Sequence, residues 1–368
     1  MSSRPSIYLD YNATAPPAPG VGEAMVRALE MGGNPSSVHQ RGRNARRIVE
    51  DARARLADAV GAKPQNVIFT SGGTEANRLA LSGVADRTVL ASAIEHPSVM
   101  AYGGTMAPLA VDSGGRVELA DLREKLAAQE RPALVSLMYA NNETGVLQPV
   151  AEAAAIAHAA GALVHCDAVQ GLGKQEIDLE ALGVDMLSVS AHKIGGPAGI
   201  GALVLSPGIV LASDRAAGGQ ERGQRAGTEN LAGIAGFGAA LAALDGSVSD
   251  QPRQLALRQL LERQLVAAGG VVFGAASARL SNTIAAAMSG VASATQLMHF
   301  DLAGFCVSAG SACSSGKVER SHVLHAMGVA DALSDCAIRI SFGRDTLEGD
   351  LLGFAAAWKD LCRRKAAA

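Results

Sequence analysis

The chain has 368 residues and a formal net charge of -3, with 48% hydrophobic residues, 18% charged residues and 42 glycines. These values indicate a folded chain long enough for two domains, without the basic surface that binds nucleic acid or anionic membranes. The 5 cysteines lack the C-x-x-C spacing of a zinc site and the density of a disulfide scaffold. We therefore expect a cytoplasmic protein without a metal site.

Two features argue against membrane targeting. Asp10 interrupts the N-terminal segment before an apolar core could form, so we expect no signal peptide. The uncharged run at 194–213 is long enough to cross a bilayer, but its glycines and prolines indicate loops and a strand. We therefore expect no membrane span.

Predicted strands alternate with helices through the first 250 residues. Apolar and β-branched runs predict strands at 7–9, 66–71, 88–93, 133–138, 162–166, 184–190 and 201–205. Helical spacing predicts helices at 21–31, 44–60, 75–83, 150–160 and 231–244, with Asn44 as the cap of the second. This alternation is typical of βαβ units, so we predict a mainly parallel sheet.

A polar stretch at 247–252 marks a predicted domain boundary. Beyond it, helices are predicted at 254–268, 291–299 and 321–327, with short strands at 271–273, 282–287, 305–308 and 337–342. We therefore predict an α/β fold in which residues 16–250 form the large domain. Residues 1–15 and 251–368 are predicted to form a smaller α+β domain.

Polar sequences follow four of the predicted strands, at 70–74, 95–97, 139–145 and 167–170. Loops at the carboxyl ends of parallel strands are where such folds bind ligands. At the first of these ends, Gly73 and Thr74 open a helix, where backbone N–H groups and the helix dipole favour an anion such as phosphate. The alternative is an ordinary glycine-rich turn with a threonine near the helix cap.

Lys193 follows a buried strand and enters a Gly-Gly-Pro turn, where a desolvated lysine can form a Schiff base with a carbonyl cofactor. Asp167, at another strand end, could hold a pyridinium nitrogen, and His96 could stack on a ring or move a proton. The alternatives are a surface lysine, a helix-capping aspartate and a structural histidine. Together with the anion site, these residues predict a pocket for pyridoxal 5′-phosphate.

The chain resembles the cysteine desulfurases of the class-V aminotransferase superfamily, which are fold-type-I pyridoxal phosphate enzymes. The motifs that carry this resemblance extend from YLDYNATA at 8–15 to IRISFGR at 338–344. Between them lie GNPSS at 33–37, TSGGTEAN at 70–77, NNETG at 141–145, DAVQ at 167–170, SAHK at 190–193, RAGTEN at 225–230 and GSACSS at 310–315. The longer loop that continues to Arg320 resembles the group that supplies iron-sulfur cluster assembly and nitrogen fixation.

The resemblance implies a role for each of these residues. Lys193 would form the Schiff base, Asp167 would pair with the pyridine nitrogen, and His96 would stack on the ring. Gln170 would bond the phenolic oxygen of the cofactor. The phosphate would be held by Thr74, Ser190, His192 and, from the second subunit of a homodimer, Thr228. Asn142 and Arg339 would fix the substrate carboxylate.

Cys313 lies in a segment of small residues and would take sulfur from bound L-cysteine as a persulfide, leaving L-alanine. The four remaining cysteines are expected to be structural. The implied partners are L-cysteine, a second copy of the chain, and an iron-sulfur scaffold or other acceptor protein. Two alternatives stay open: a selenocysteine lyase or other β-elimination enzyme, and a sulfur-relay subunit without turnover.

Overall fold

The computed structural model describes residues 6–84, 86–102, 104, 106–212, 218–244, 250–310 and 320–367. Its strands are β1 Ile7–Tyr8, β2 Val67–Thr70, β3 Thr88–Ser92, β4 Met106–Leu109, β5 Ala133–Met138, β6 Leu163–Asp167, β7 Met186–Ser190, β8 Gly201–Leu205, β9 Val271–Val272, β10 Thr283–Ala287, β11 Phe305–Cys306, β12 Ser308–Ala309 and β13 Ala337–Ser341. Among the described residues, no helix is both long and apolar enough to cross a membrane.

The helices alternate with these strands through the first half of the described chain. They are α1 Val21–Met31, α2 Gln40–Ala59, α3 Gly73–Gly83, α4 Pro97–Met100, α5 Leu119–Ala127, α6 Val150–Ala159, α7 Leu179–Leu182, α8 Leu231–Ala242, α9 Gln251–Ala267, α10 Ser293–Leu302, α11 His322–Ala326, α12 Asp331–Ser334 and α13 Glu348–Ala367. Short 3-10 turns occur at Pro64–Asn66, Ala191–Lys193 and Gln220–Gly223.

The large sheet has the strand order β2-β8-β7-β6-β5-β3-β4. Strands β7, β6, β5, β3 and β4 are parallel neighbours, whereas β8 runs antiparallel to both β2 and β7. Side chains alternate between the two faces: Leu90 and Val135 join one apolar cluster, and Val89 and Leu134 join the other. Helices cover both faces, as a mainly parallel sheet requires, and the predicted fold class is confirmed.

The second sheet is antiparallel, with the order β12-β13-β10-β9. Its apolar face packs against helices α9, α10 and α13 around a separate cluster that contains Phe300, Phe354 and Trp358. Phe300 and Trp358 are stacked with ring centroids 6.0 Å apart. This sheet matters for the site because β13 carries Arg339, which is paired in register with Ala285 of β10. The predicted domain division near residue 250 stays a prediction.

Apart from shifts of up to three residues at element ends, two predicted elements differ from the structure. The predicted strand at 305–308 is two short strands in different sheets, because β11 pairs with β1 whereas β12 pairs with β13. Helix α2 begins at Gln40, four residues before the predicted start, because His39 rather than Asn44 provides the cap: its Nδ1 accepts the Gly42 N–H at 3.2 Å.

Candidate active site

A cavity of about 420 Å³ lies at the carboxyl edge of the large sheet. Its walls come from the loops after β2, β3, β5, β6 and β7, from the N-terminal segment and from β13. The predicted site residues that line it are Gly73, Thr74, His96, Asn142, Asp167, Gln170, Ser190, His192, Lys193 and Arg339. Parallel strands end at one edge of the sheet, which explains how residues from such distant parts of the chain meet there.

Lys193 ends the 3-10 turn Ala191–Lys193 that directly follows strand β7. Its Nζ donates to the backbone carbonyls of Asn12 and Ala13, at 2.6 and 2.8 Å. The amine therefore lies at the cavity wall and is held by the N-terminal segment. A primary amine placed there can react with a carbonyl group or move a proton.

Asp167 is the last residue of β6, and its side chain is buried at the cavity. Its Oδ2 accepts from Asn77 Nδ2 at 2.6 Å, and its Oδ1 accepts from the backbone of Val169 at 3.0 Å. Sequence analysis missed Asn77, although it lies three residues after Thr74, on the same face of α3. These donors orient the carboxylate, which lines the cavity and can accept a hydrogen bond from a bound heterocycle.

His96 caps the short helix α4, and its Nδ1 lies 2.8 Å from Ser98 Oγ and accepts the Ser98 N–H at 3.1 Å. Burial lowers the pKa of His96, although the charge of Asp167 acts in the opposite direction. Because Nδ1 accepts the backbone N–H, a neutral His96 carries its proton on Nε2. A neutral imidazole next to the cavity can stack on a ring and exchange a proton.

Two further ionisable groups lie behind the cavity. Burial, assisted by the charge of Asp167, raises the pKa of Glu95 to about 8, and its Oε1 accepts from Ser92 Oγ at 2.6 Å. Burial lowers the pKa of His165 to about 4. Its two ring nitrogens lie within 2.9 Å of hydroxyl groups on the neighbouring strands β5 and β7. Oε1 of Glu95 and both ring nitrogens of His165 have internal partners, and neither residue lines the cavity.

The end of the cavity at helix α3 has the features of an anion site. Helix α3 begins at Gly73, where an added Cβ would lie 2.8 Å from Val169 Cγ2, so the close approach requires glycine. Polar side chains are added by Thr74 of the same helix, by Ser190 at the end of β7 and by His192 of the 3-10 turn that follows it. Burial, followed by the charge of Lys193, lowers the pKa of His192 to about 4. A neutral imidazole there donates a hydrogen bond from only one nitrogen.

Arg339 is buried on β13 and also lines the cavity. Its Nη2 donates to Asp10 Oδ1 at 2.7 Å, and its Nη1 donates to the Asn142 carbonyl at 3.1 Å. Its Nε has no hydrogen-bond partner among the described residues. The planar guanidinium is thus fixed in place with a buried donor unused, which suits recognition of a carboxylate.

Two predicted site residues are not among the described residues that line the cavity. Thr228 is exposed and does not line the cavity of the single chain. Cys313 lies outside the described residues. The described cysteines are free thiols, and burial raises the pKa of Cys166 well above its usual value, which makes that thiol unreactive.

After residue 319 the described chain attaches directly to the site loops. Ser321 Oγ donates to Glu143 Oε2 at 2.5 Å, and His322 Nε2 lies 2.9 Å from the Glu95 carbonyl oxygen. Burial raises the pKa of Glu143. These two contacts fix the start of α11 against the loops that carry Asn142 and His96.

The cavity fits a phosphorylated pyridine aldehyde. The amine of Lys193, the oriented carboxylate of Asp167 and the small-residue turn at Gly73 supply groups for a carbonyl, a ring nitrogen and a phosphate. The unused Nε of Arg339 offers a further donor to a substrate anion. Among the described residues, no group of His, Cys, Asp and Glu side chains is arranged to hold a metal ion.

Comparison with known proteins agrees with this arrangement. The family model described as Aminotransferase class-V matches residues 7–353. Cysteine desulfurase IscS of Dictyoglomus turgidum is 40% identical over 362 residues, covering 94% of this chain and 91% of that protein. A cysteine desulfurase of Cereibacter sphaeroides is 42% identical over 363 residues, covering 94% and 92%.

Similarity to a solved structure supports the same family assignment. The NifS-like protein from Rickettsia africae superposes with a TM-score of 0.90 at 36% identity, covering 97% of this chain and 99% of that one. The chain therefore belongs to the class-V aminotransferase family, whose enzymes depend on pyridoxal phosphate. Relatives named as cysteine desulfurases match over nearly the whole chain. The prediction that this chain is a cysteine desulfurase is therefore confirmed.

Proposed function

We propose that this chain converts L-cysteine to L-alanine in the cavity at Lys193 and receives the sulfur on Cys313 as a persulfide. One observation carries the proposal: Lys193, Asp167 and Arg339 line the same cavity, although they come from three separate segments. Their chemistry matches the needs of an amino-acid substrate, which carries an amine, an acidic Cα–H and a carboxylate.

The residues proposed to hold pyridoxal 5′-phosphate fall into groups, and each group would contact one part of the cofactor. Asp167 would keep the pyridine nitrogen protonated, and Gln170 would donate to the phenolic oxygen. His96 would lie against the ring. The phosphate would be bound by Gly73, Thr74, Ser190 and His192. When bound, the cofactor supplies a sink for the electron pair that is left when Cα loses its proton.

The chain's own groups would then handle the substrate. Arg339 and Asn142 would bind the carboxylate of L-cysteine and so orient its Cα–H bond towards the Lys193 amine. Lys193 would remove that proton as a general base. His96, neutral with its proton on Nε2, would exchange a proton with the reacting centre.

Sulfur transfer would follow as a nucleophilic displacement. The Cys313 thiolate would attack the substrate sulfur, forming an S–S bond while the Cβ–S bond breaks. The electron pair of the broken bond stays with carbon, which takes up a proton and leaves as the methyl group of L-alanine. The balance is L-cysteine plus the Cys313 thiol giving L-alanine plus the Cys313 persulfide.

We further propose that the enzyme works as a cytoplasmic homodimer in which Thr228 of one subunit completes the phosphate site of the other. The exposure of Thr228 supports this assignment. The persulfide would pass to an iron-sulfur scaffold or another acceptor protein. Thr228→Ala should weaken cofactor binding without changing the sedimentation of the dimer; a monomeric wild-type chain with full affinity would contradict the proposal.

The decisive experiment compares Cys313→Ala with Cys362→Ala, a matched control at a free cysteine that does not line the cavity. We expect Cys313→Ala to keep the cofactor absorbance and bind L-cysteine but to form no alanine, whereas Cys362→Ala retains wild-type turnover. Undiminished alanine formation by Cys313→Ala would disprove the persulfide step. A selenocysteine lyase would retain alanine formation from selenocysteine in the same variant.

A further inference from the structure

A second lysine lies beside Lys193 and has no role in the chemistry described so far. Lys174 follows Gln170 by four residues, in the turn after β6. Its Nζ donates to Gln170 Oε1 at 2.5 Å and to Asn12 Oδ1 at 2.8 Å. Both acceptors belong to residues that line the candidate active site.

We propose that Lys174 is a positioning residue for the reaction: it fixes the side-chain amides of Gln170 and Asn12 so that Gln170 presents its N–H₂ group, not its oxygen, to the cofactor. This inference rests on the proposed function, because it assumes that Gln170 contacts the phenolic oxygen. It adds a residue that the catalytic motif DAVQ does not contain.

The orientation of Gln170 follows from hydrogen-bond chemistry. A carboxamide has an acceptor end and a donor end of nearly equal shape, so an unrestrained amide can bind either way round. Lys174 can only donate, so it selects the oxygen of Gln170. The opposite end, Nε2, donates one N–H to the Asn12 carbonyl at 3.0 Å and keeps a second N–H, and Gln170 lines the cavity. That second N–H is the donor that an anionic oxygen in the cavity would meet.

Asn12 is fixed by the same lysine. Its Nδ2 donates to Thr283 Oγ1 at 3.0 Å and to the Asn142 carbonyl at 3.2 Å, while Lys174 contacts its Oδ1. The Asn12 backbone carbonyl accepts from Lys193 Nζ at 2.6 Å. Lys174 thus stabilises the segment that also holds the proposed reactive amine.

The arrangement does not require that Lys174 be charged. Burial, followed by the charges of Lys193 and Arg339, lowers the pKa of Lys174 well below its usual value. A neutral amine still has two N–H groups, one for each of its two acceptors. The neutral amine can therefore satisfy both acceptors as well, but only the ammonium form, which has no lone pair, excludes the reversed amides.

The test is a double-mutant cycle between Lys174→Met and Gln170→Met, with affinity for pyridoxal phosphate measured by absorbance titration of the cofactor-free chain. Lys174→Met alone should weaken binding about tenfold, the effect of one misoriented hydrogen bond to an anion. In the Gln170→Met background the same change should cost less than about twofold, because the Gln170 amide is gone and only the contact of Lys174 with Asn12 is lost.

A second readout is spectroscopic. The midpoint of the pH-dependent change in absorbance of the bound cofactor should rise by about one pH unit in Lys174→Met, because losing a donor destabilises the deprotonated, more anionic form. Lys125→Met, which removes a lysine that contacts Asp121 at the surface, should change neither measurement. If Lys174→Met does not fold, Lys174→Gln takes its place in the cycle.

The outcomes separate this inference from the proposed function. Equal effects of Lys174→Met in the wild-type and Gln170→Met backgrounds, or an unmoved midpoint, would overturn the positioning role alone. If Lys193→Ala gave the same absorbance spectrum with pyridoxal phosphate as the wild-type chain, the proposed function itself would fail, whatever Lys174 does.

Discussion

Two buried clusters of charge illustrate opposite uses of the same chemistry. In the first, Arg53 donates from two nitrogens to the Glu221 carboxylate, at 2.8 and 3.0 Å, and its guanidinium lies 4.9 Å from the Phe69 ring centroid. In the second, Asp167, Lys193 and Arg339 surround a cavity of about 420 Å³. The charged groups of the first cluster pair with each other, whereas those of the second line a cavity that can hold a ligand.

The comparison shows what a buried charge contributes in each setting. Burial alone would lower the pKa of Arg53, yet the hydrogen bonds and charge of Glu221 leave it raised, so Arg53 stays charged beside its partner. Glu221 also accepts the Phe69 N–H at 3.0 Å, which ties α2, β2 and the turn at Gln220–Gly223 together. Substitutions should therefore affect stability at the first cluster and chemistry at the second.

The largest expected effect is on chemistry. Lys193→Ala should lower the rate of alanine formation from L-cysteine by more than about 1,000-fold, because it removes both the proposed covalent attachment and the general base. The melting temperature without cofactor should stay close to that of the wild type. Alanine release and differential scanning fluorimetry measure the two quantities, and substantial turnover by this variant would remove Lys193 from the mechanism.

At the first cluster we expect the reverse. Arg53→Met should lower the free energy of unfolding by about 3–5 kcal/mol, because it leaves the Glu221 carboxylate buried without its partner. The folded fraction should keep the cofactor absorbance of the wild type. The double variant Arg53→Met, Glu221→Gln should recover part of the lost stability in urea unfolding; a double variant as unstable as the single one would contradict this account.

His165 is a buried ionisable group near Asp167. Its hydrogen-bond partners are other side chains of the protein. Its pKa is about 4 in the folded chain, against about 6.5 when unfolded. Between these values the unfolded state binds more protons, so stability is fully present above pH 6.5 and falls as the pH falls, by roughly 3 kcal/mol at pH 4. His165→Asn should flatten that part of the stability profile, whereas His158→Asn, at the surface, should not.

Sequence patterns predicted the strand ends well because strand propensity is local and parallel strands share an edge. This explains why Asp167 and Lys193 were identified with their strands β6 and β7. Patterns could not predict contacts between distant segments. Asn12 contacts Thr283 and the lysines of two later turns, which no local signal indicates.

The same limit explains the predictions that the structure changed. A strand at 305–308 was predicted from one apolar run, but its two halves pair in different sheets, and pairing is a tertiary property. Helix α13 and strand β4 were not predicted at all. Asn77, although part of the TSGGTEAN motif, and Lys174 were missed because no local signal indicates that they contact Asp167 and Gln170.

Arg339→Lys should have the smallest of these effects. It tests whether the site needs the fixed guanidinium of Arg339 or only a positive charge. Asp10 and the Asn142 carbonyl already hold two nitrogens of Arg339, and its Nε has no partner among the described residues. A lysine could contact Asp10 but could not also present a planar donor pair to the substrate carboxylate. We expect KM for L-cysteine to rise about 10- to 100-fold with a smaller change in kcat.

The matched control is Arg258→Lys. Arg258 is also buried, and its Nε also makes no hydrogen bond among the described residues, although it lies 3.6 Å from Glu262 Oε1. It donates to the backbone carbonyls of Arg279 and Leu280 and does not line the active-site cavity. Its replacement should lower stability and leave KM unchanged. If both variants raised KM equally, an unused buried donor would not identify a substrate site, and the contrast between the two charge clusters would lose its functional meaning.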